Sequence, residues 1–134
     1  MAIVEWNESL SVGVREIDAQ HQGLLGLINE LHEAMKEGKS RDILASLVSR
    51  LKDYARAHFS TEEKYLRQTA FPGFEEHRVQ HDKFIEKILD FELELAEGKT
   101  SPLEVARFLM DWYVRHIKGT DRKYAGHLQS HGIR

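Results

Sequence analysis

The sequence predicts an all-α protein, an antiparallel up-down-up-down four-helix bundle with an N-terminal arm. Three observations carry this. Four stretches space their apolar residues three and four apart, as one face of a helix requires. Both prolines, Pro72 and Pro102, fall where a helix breaks or begins. Short connections join the four stretches, which makes neighbouring helices antiparallel.

Residues 1–17 lack a helical period and form the arm. The first helix is expected over about residues 18–36, with His21, Leu24, Leu25, Ile28, Leu31 and Met35 on one stripe, and Gly38 ends it. The second starts near Ser40. It carries Leu44, Leu47, Leu51, Tyr54, His58, Glu62 and Tyr65 on one face, and Thr69-Ala70-Phe71-Pro72-Gly73 breaks it. The third shows Phe74, His77, His81, Phe84, Ile88, Phe91 and Leu95 and stops at Gly98. The fourth opens with Ser101-Pro102-Leu103-Glu104, a capping box with proline at the first helical position. Its inner face reads Ala106, Leu109, Met110, Tyr113, His116, Ile117, Thr120, Asp121 and Tyr124.

At 134 residues the chain suits one domain, spanning 1–134, with one core. A net charge of −3 with mixed signs gives no basic footprint for nucleic acid. The absence of cysteine excludes disulfides, thiolate catalysis and iron–sulfur clusters. No run approaches the roughly 18 apolar residues of a membrane span, and the start of the chain does not read as a signal peptide. A cytoplasmic monomer is the expectation.

Seven polar residues sit on or beside these apolar stripes: His21, His58, Glu62, His77, His81, His116 and Asp121. In an up-down-up-down bundle all seven fall at similar height near one end. Burying a neutral polar group unpaired costs roughly 1–3 kcal/mol, and a charge far more. A single histidine on an apolar face is more often a hydrogen-bonded core residue, as His32 is expected to be. Seven together need mutual neutralisation, and a metal provides it. His127 and His131, near the C-terminus, are expected to be solvated. The aromatics Tyr54, Tyr65, Phe74, Phe84 and Phe91 read as plain core.

The pairs His58/Glu62 and His77/His81 are four residues apart, so each pair shares a helix face. His116 and Asp121 are five apart, about 140° on a regular helix, unless the turn widens, helped by Gly119. Five imidazoles and two carboxylates exceed one tetrahedral zinc site. With two bridging carboxylates and a bridging oxygen they fill most of two octahedra and leave one position vacant.

A lone His21, then His58-Phe-Ser-Thr-Glu62, His77-Arg-Val-Gln-His81 and His116-Ile-Lys-Gly-Thr-Asp121, resembles the hemerythrins. Trp6, Ile17-Asp18-Ala19-Gln20-His21 and Asp111-Trp112 look like the bacterial branch. The resemblance implies two iron ions in a non-heme, oxo- or hydroxo-bridged di-iron centre that binds dioxygen reversibly. It implies that His77, His81 and His116 hold one iron, that His21 and His58 hold the other, and that Glu62 and Asp121 bridge them. Dioxygen would bind at the iron with two histidines. Trp112, Tyr113 and Ile117, around His116, are candidate ligand-pocket residues. Tyr113 stands where the family motif is usually aliphatic; its hydroxyl could bond a ligand, ligate iron or face water. Oxygen carriage, storage or delivery without catalysis leads. A stand-alone oxygen or redox sensor, a di-iron enzyme acting on peroxide or nitric oxide, and a metal store are the alternatives.

Overall fold

A computed structural model of the chain describes residues 4–134; residues 1–3, the first part of the arm, lie outside it. Four helices form the bundle: α1 (Arg15–Lys36), α2 (Ser40–Gln68), α3 (Phe74–Ala96) and α4 (Pro102–Trp112). The polypeptide continues from α4 without a break through a π-helical segment (Tyr113–Thr120), a 3-10 turn (Asp121–Tyr124) and α5 (Ala125–Ser130). Among the described residues no helix is long and apolar enough to cross a membrane.

Cross-helix contacts fix the antiparallel order. Gln20 meets His58 and Glu30 meets Arg50, so α1 and α2 run oppositely. Glu63 meets His81 and Lys52 meets Glu92, which does the same for α2 and α3. Gln80 meets His116 while Phe91 meets Phe108, closing α3 against α4. The exposed ion pairs in this set contribute at most about 1 kcal/mol each. The driving force is the buried stripe, in which Leu24, Leu47, Leu51, Phe84, Ile88, Phe91 and Leu109 are all at most 1% exposed.

The helix ends follow from local chemistry. Gly38 and Gly98 adopt left-handed backbone (φ 71° and 70°), and the following Lys39 and Lys99 amides bond back to Ala34 and Glu94. After α2 the same left-handed position is taken by Ala70 (φ 51°). Ser101 caps α4 by accepting the Glu104 amide at 3.3 Å. The expected reciprocal half of the capping box is absent: the Glu104 carboxylate accepts from Thr100 instead.

The arm is more ordered than its lack of period suggests. Asn7 caps a 3-10 turn (Glu8–Leu10), Val4 pairs with the Asn29 side chain, and α1 begins three residues earlier than expected. Asp18 enables the early start by reaching back to the Val12 amide and the Ser11 hydroxyl. The arm then packs on the end of the chain. Val12, Val14, Ile17, Leu66, Tyr124 and Leu128 form a second, smaller apolar cluster, separate from the main core. On α4 the structure buries Val105, while Ala106 and Met110 of the expected inner face, and Tyr113 and Thr120 in the π-helical segment, are only half-buried.

Candidate metal centre

Each helix delivers its polar residues to the same end of the bundle, under the smaller apolar cluster. His21 comes from the start of α1, His58 and Glu62 from the later part of α2, and His77 and His81 from the first turns of α3. His116 and Asp121 come from the π-helical segment and the residue that follows it. The Asp121 amide bonds the His116 carbonyl, an i to i+5 bond that brings residues five apart onto one side. The expected widening is therefore real. Its cause is not crowding at Gly119, where a Cβ would meet open space.

All seven side chains are at most 3% exposed. Their candidate ligand atoms form two sets, each with all atoms within 4.8 Å of one another: Glu62, His77, His81, His116 and Asp121, and His21, His58, Glu62 and Asp121. Glu62 and Asp121 belong to both. The Nε2 atoms of His58, His116, His21 and His77 approach carboxylate oxygens at 2.7, 2.8, 3.0 and 3.0 Å. Yet Nε2 of His21, His77, His81 and His116, Oε1 of Glu62 and both Asp121 oxygens make no hydrogen bond. They converge without pairing.

The electrostatics tell the same story. Burial works against the charge on Glu62 and Asp121, but the facing histidines more than offset it and hold both carboxyls well below their usual range. Burial likewise opposes a proton on His77, while Asp121 and Glu62 push it up to about 9. His21 is raised by Asp121 against burial. His81 is lowered, chiefly by burial.

The outer nitrogens of three histidines have dedicated acceptors that inspection of the sequence did not find. His58 Nδ1 donates to Gln20 at 2.6 Å, His81 Nδ1 to Glu63 at 2.9 Å and His116 Nδ1 to Gln80 at 2.8 Å. Thr61 accepts from the Gln20 amide group at 3.1 Å, which turns the Gln20 oxygen toward His58. Such bonds fix which nitrogen carries the proton and leave Nε2 facing inward. One signal was available: Gln20, Glu63 and Gln80 each adjoin a site residue in sequence and serve a histidine on the next helix. Tyr124, also missed as a site residue, donates to Glu62 Oε2 at 2.5 Å.

Aromatic rings wall the centre. Trp112 stacks on His116 (3.9 Å, 13°), and Phe59, absent from the expected stripe, stacks on His81 (3.8 Å, 6°). Ile117 is buried beside them. Tyr113 is half-buried, with the Lys118 ammonium 5.8 Å from its ring centre. Tyr54, expected as plain core, stacks on His58 at 5.3 Å. His32 is half-buried rather than fully buried, and His131 is exposed. His127 departs from expectation: it is half-buried and donates to the Thr69 carbonyl at 2.9 Å.

A family model described as hemerythrin HHE cation binding domain matches residues 12–128. The chain belongs to the hemerythrin family. It is 28% identical over 131 residues to the bacteriohemerythrin of Stenotrophomonas maltophilia, covering 98% of this chain and 85% of that one. It is 34% identical over 123 residues to a hemerythrin-like protein of Naegleria gruberi, 92% of each chain. Among solved structures, a hemerythrin leucine-to-tyrosine mutant superposes with a TM-score of 0.86 at 28% identity, over 96% of this chain and 98% of that one. Wild-type hemerythrin gives 0.85 at 27%, over 95% and 98%. The four-helix bundle and the buried histidine–carboxylate cluster are what a non-heme metal site of this family requires.

Proposed function

We propose that the seven side chains hold two iron ions and that the pair binds dioxygen reversibly, for carriage, storage or delivery. His77, His81 and His116 would ligate one ion, His21 and His58 the other, and Glu62 and Asp121 would reach both. The observation that carries this reading is the set of buried, unpaired atoms aimed at a common centre. Each would cost about 1–3 kcal/mol if left so, and a pair of cations satisfies them together. Imidazole and carboxylate are both suited to iron.

A bound iron pair would supply reversible two-electron chemistry toward dioxygen. The chain's own part is positioning and exclusion of water. Gln20, Glu63 and Gln80 hold the protons at Nδ1 of His58, His81 and His116, so the inner nitrogens stay available to a cation. Phe59, Trp112 and Ile117 close the apolar side. Five imidazoles to two carboxylates make the site poor in negative charge. That favours the ferrous state and release over cleavage of the O–O bond.

The test is an iron determination together with absorption spectra of the reduced protein before air, after air and after deoxygenation. A band that appears with air and disappears on deoxygenation over repeated cycles is the expected result. A colour change that never reverses, or turnover of peroxide or nitric oxide at rates typical of an enzyme, would contradict carriage.

A further inference from the structure

Two tyrosines lie against histidines of the centre, fully buried Tyr124 and half-buried Tyr54, and only one of their hydroxyls is accounted for. Tyr124 lies against His77 (5.4 Å between rings) and spends its hydroxyl proton on Glu62. Tyr54 lies one helical turn before His58, its ring nearly parallel to the imidazole (5.3 Å, 18°). Its hydroxyl is buried and has no hydrogen-bond partner. Burial, then the charges of Glu62 and Asp121, push its ionisation far up, so the group stays a neutral O–H donor within reach of both carboxylates' fields. A buried hydroxyl is ordinarily paired, and an orphan calls for a reason.

The donor count supplies one. The set with His77, His81 and His116 has three imidazoles, whereas the set with His21 and His58 has two. A metal held by His21 and His58 would have one protein donor fewer than its neighbour, and would be the one with room for a further ligand, on the side where Tyr54 stacks on His58. We propose that the Tyr54 hydroxyl is a hydrogen-bond donor to the small ligand, an anion or diatomic molecule with an acceptor atom, that occupies the metal at His21 and His58. This rests on the metal-site reading above and adds a specificity-determining residue to it. Tyr54 favours ligands that carry partial negative charge near the metal and slows their departure. Tyr113 is less suited to that role, because its hydroxyl is not among the buried unpaired atoms and the Lys118 ammonium lies over its ring.

The experiment compares wild type with Tyr54→Phe and, as a control for loss of a tyrosine hydroxyl, Tyr65→Phe, whose hydroxyl bonds Glu16 on the surface. Each protein is loaded with iron, its iron is counted, and the ferric form is titrated with azide by absorption. Iron content should be the same in all three. Azide affinity should fall about three- to tenfold in Tyr54→Phe, the worth of one hydrogen bond, and stay unchanged in Tyr65→Phe. The metal-free Tyr54→Phe protein should melt about 2–5 °C higher, since an unpaired buried hydroxyl is gone. Unchanged azide affinity would overturn the proposal. So would a lower melting point of the metal-free variant, which would reveal a structural bond. A phenolate-to-iron absorption band lost in Tyr54→Phe would overturn it too, by making Tyr54 a ligand. Wild type that takes up no iron would sink the metal-site reading itself, and that failure is visible before any azide is added.

Discussion

Tyr124 and Glu62 set the terms at the scale of single residues. The phenol donates to a carboxylate that is 0% exposed, and a hydrogen bond to a charged group is worth about 1.5–3 kcal/mol. Tyr124→Phe should therefore lower the stability of the metal-free protein by about 2 kcal/mol, measured by urea or thermal unfolding. An unchanged midpoint would show that Glu62 finds another donor. The clustering of the seven candidate residues was legible because polar side chains on an apolar stripe demand an explanation. Gln20, Glu63 and Gln80 were not, because they sit half-buried on the flanks, where a polar residue is ordinary. Tyr54 fell on the stripe and so read as core, since periodicity places a ring on a face but says nothing of where its hydroxyl ends.

At the scale of elements, the π-helical segment decides whether the fourth helix can serve the site. The five-residue spacing of His116 and Asp121 predicts a widened turn, and the Asp121-to-His116 backbone bond is that turn. The space beside Gly119 is open and its backbone is outside the left-handed region, so the turn does not need a glycine there. Gly119→Ala should then be tolerated and raise stability by about 0.5–1 kcal/mol without loss of iron. A thermal melt and an iron count check this; iron loss in that variant would mean that the glycine itself permits the widening. The early start of α1 was hidden because no side chain caps it, and the residue that ties down its entry, Asp18, lies inside the helix and accepts from Ser11 and Val12 before it. The short α5 was missed as well. Its contact with the arm, Gln129 to Val12, joins the two ends of the chain, and helical period cannot report a pairing 117 residues apart.

At the scale of the whole molecule, the centre is a charge-balance device set between two apolar clusters. In the metal-free protein the raised His77 contributes stability that is fully present below pH 6.5 and lost as pH rises through about 9. That rise corresponds to on the order of 3 kcal/mol. Glu62 and Asp121, held low, contribute stability that is present above their usual range near 4 and is lost on acidification. The metal-free protein should accordingly be most stable between about pH 5 and 6.5 and lose melting temperature toward pH 9. Iron binding requires the same histidines unprotonated, so iron affinity should rise over the interval in which the metal-free fold weakens. Melting curves at several pH values, with and without iron, check both limbs; a flat metal-free profile from pH 6.5 to 9 would contradict the balance. The four-helix architecture was legible at this scale because a 3.6-residue period and short connections leave few alternatives. The second apolar cluster was not, since it is assembled from the arm, the end of α2 and the last two helical segments.

The most direct test of the account is the amount of iron the protein holds after anaerobic loading and removal of excess metal. Two iron ions per chain, falling sharply when Glu62 or Asp121 is replaced by an uncharged residue, is the predicted result. A chain that retains no iron yet keeps its fold and melting temperature would contradict it.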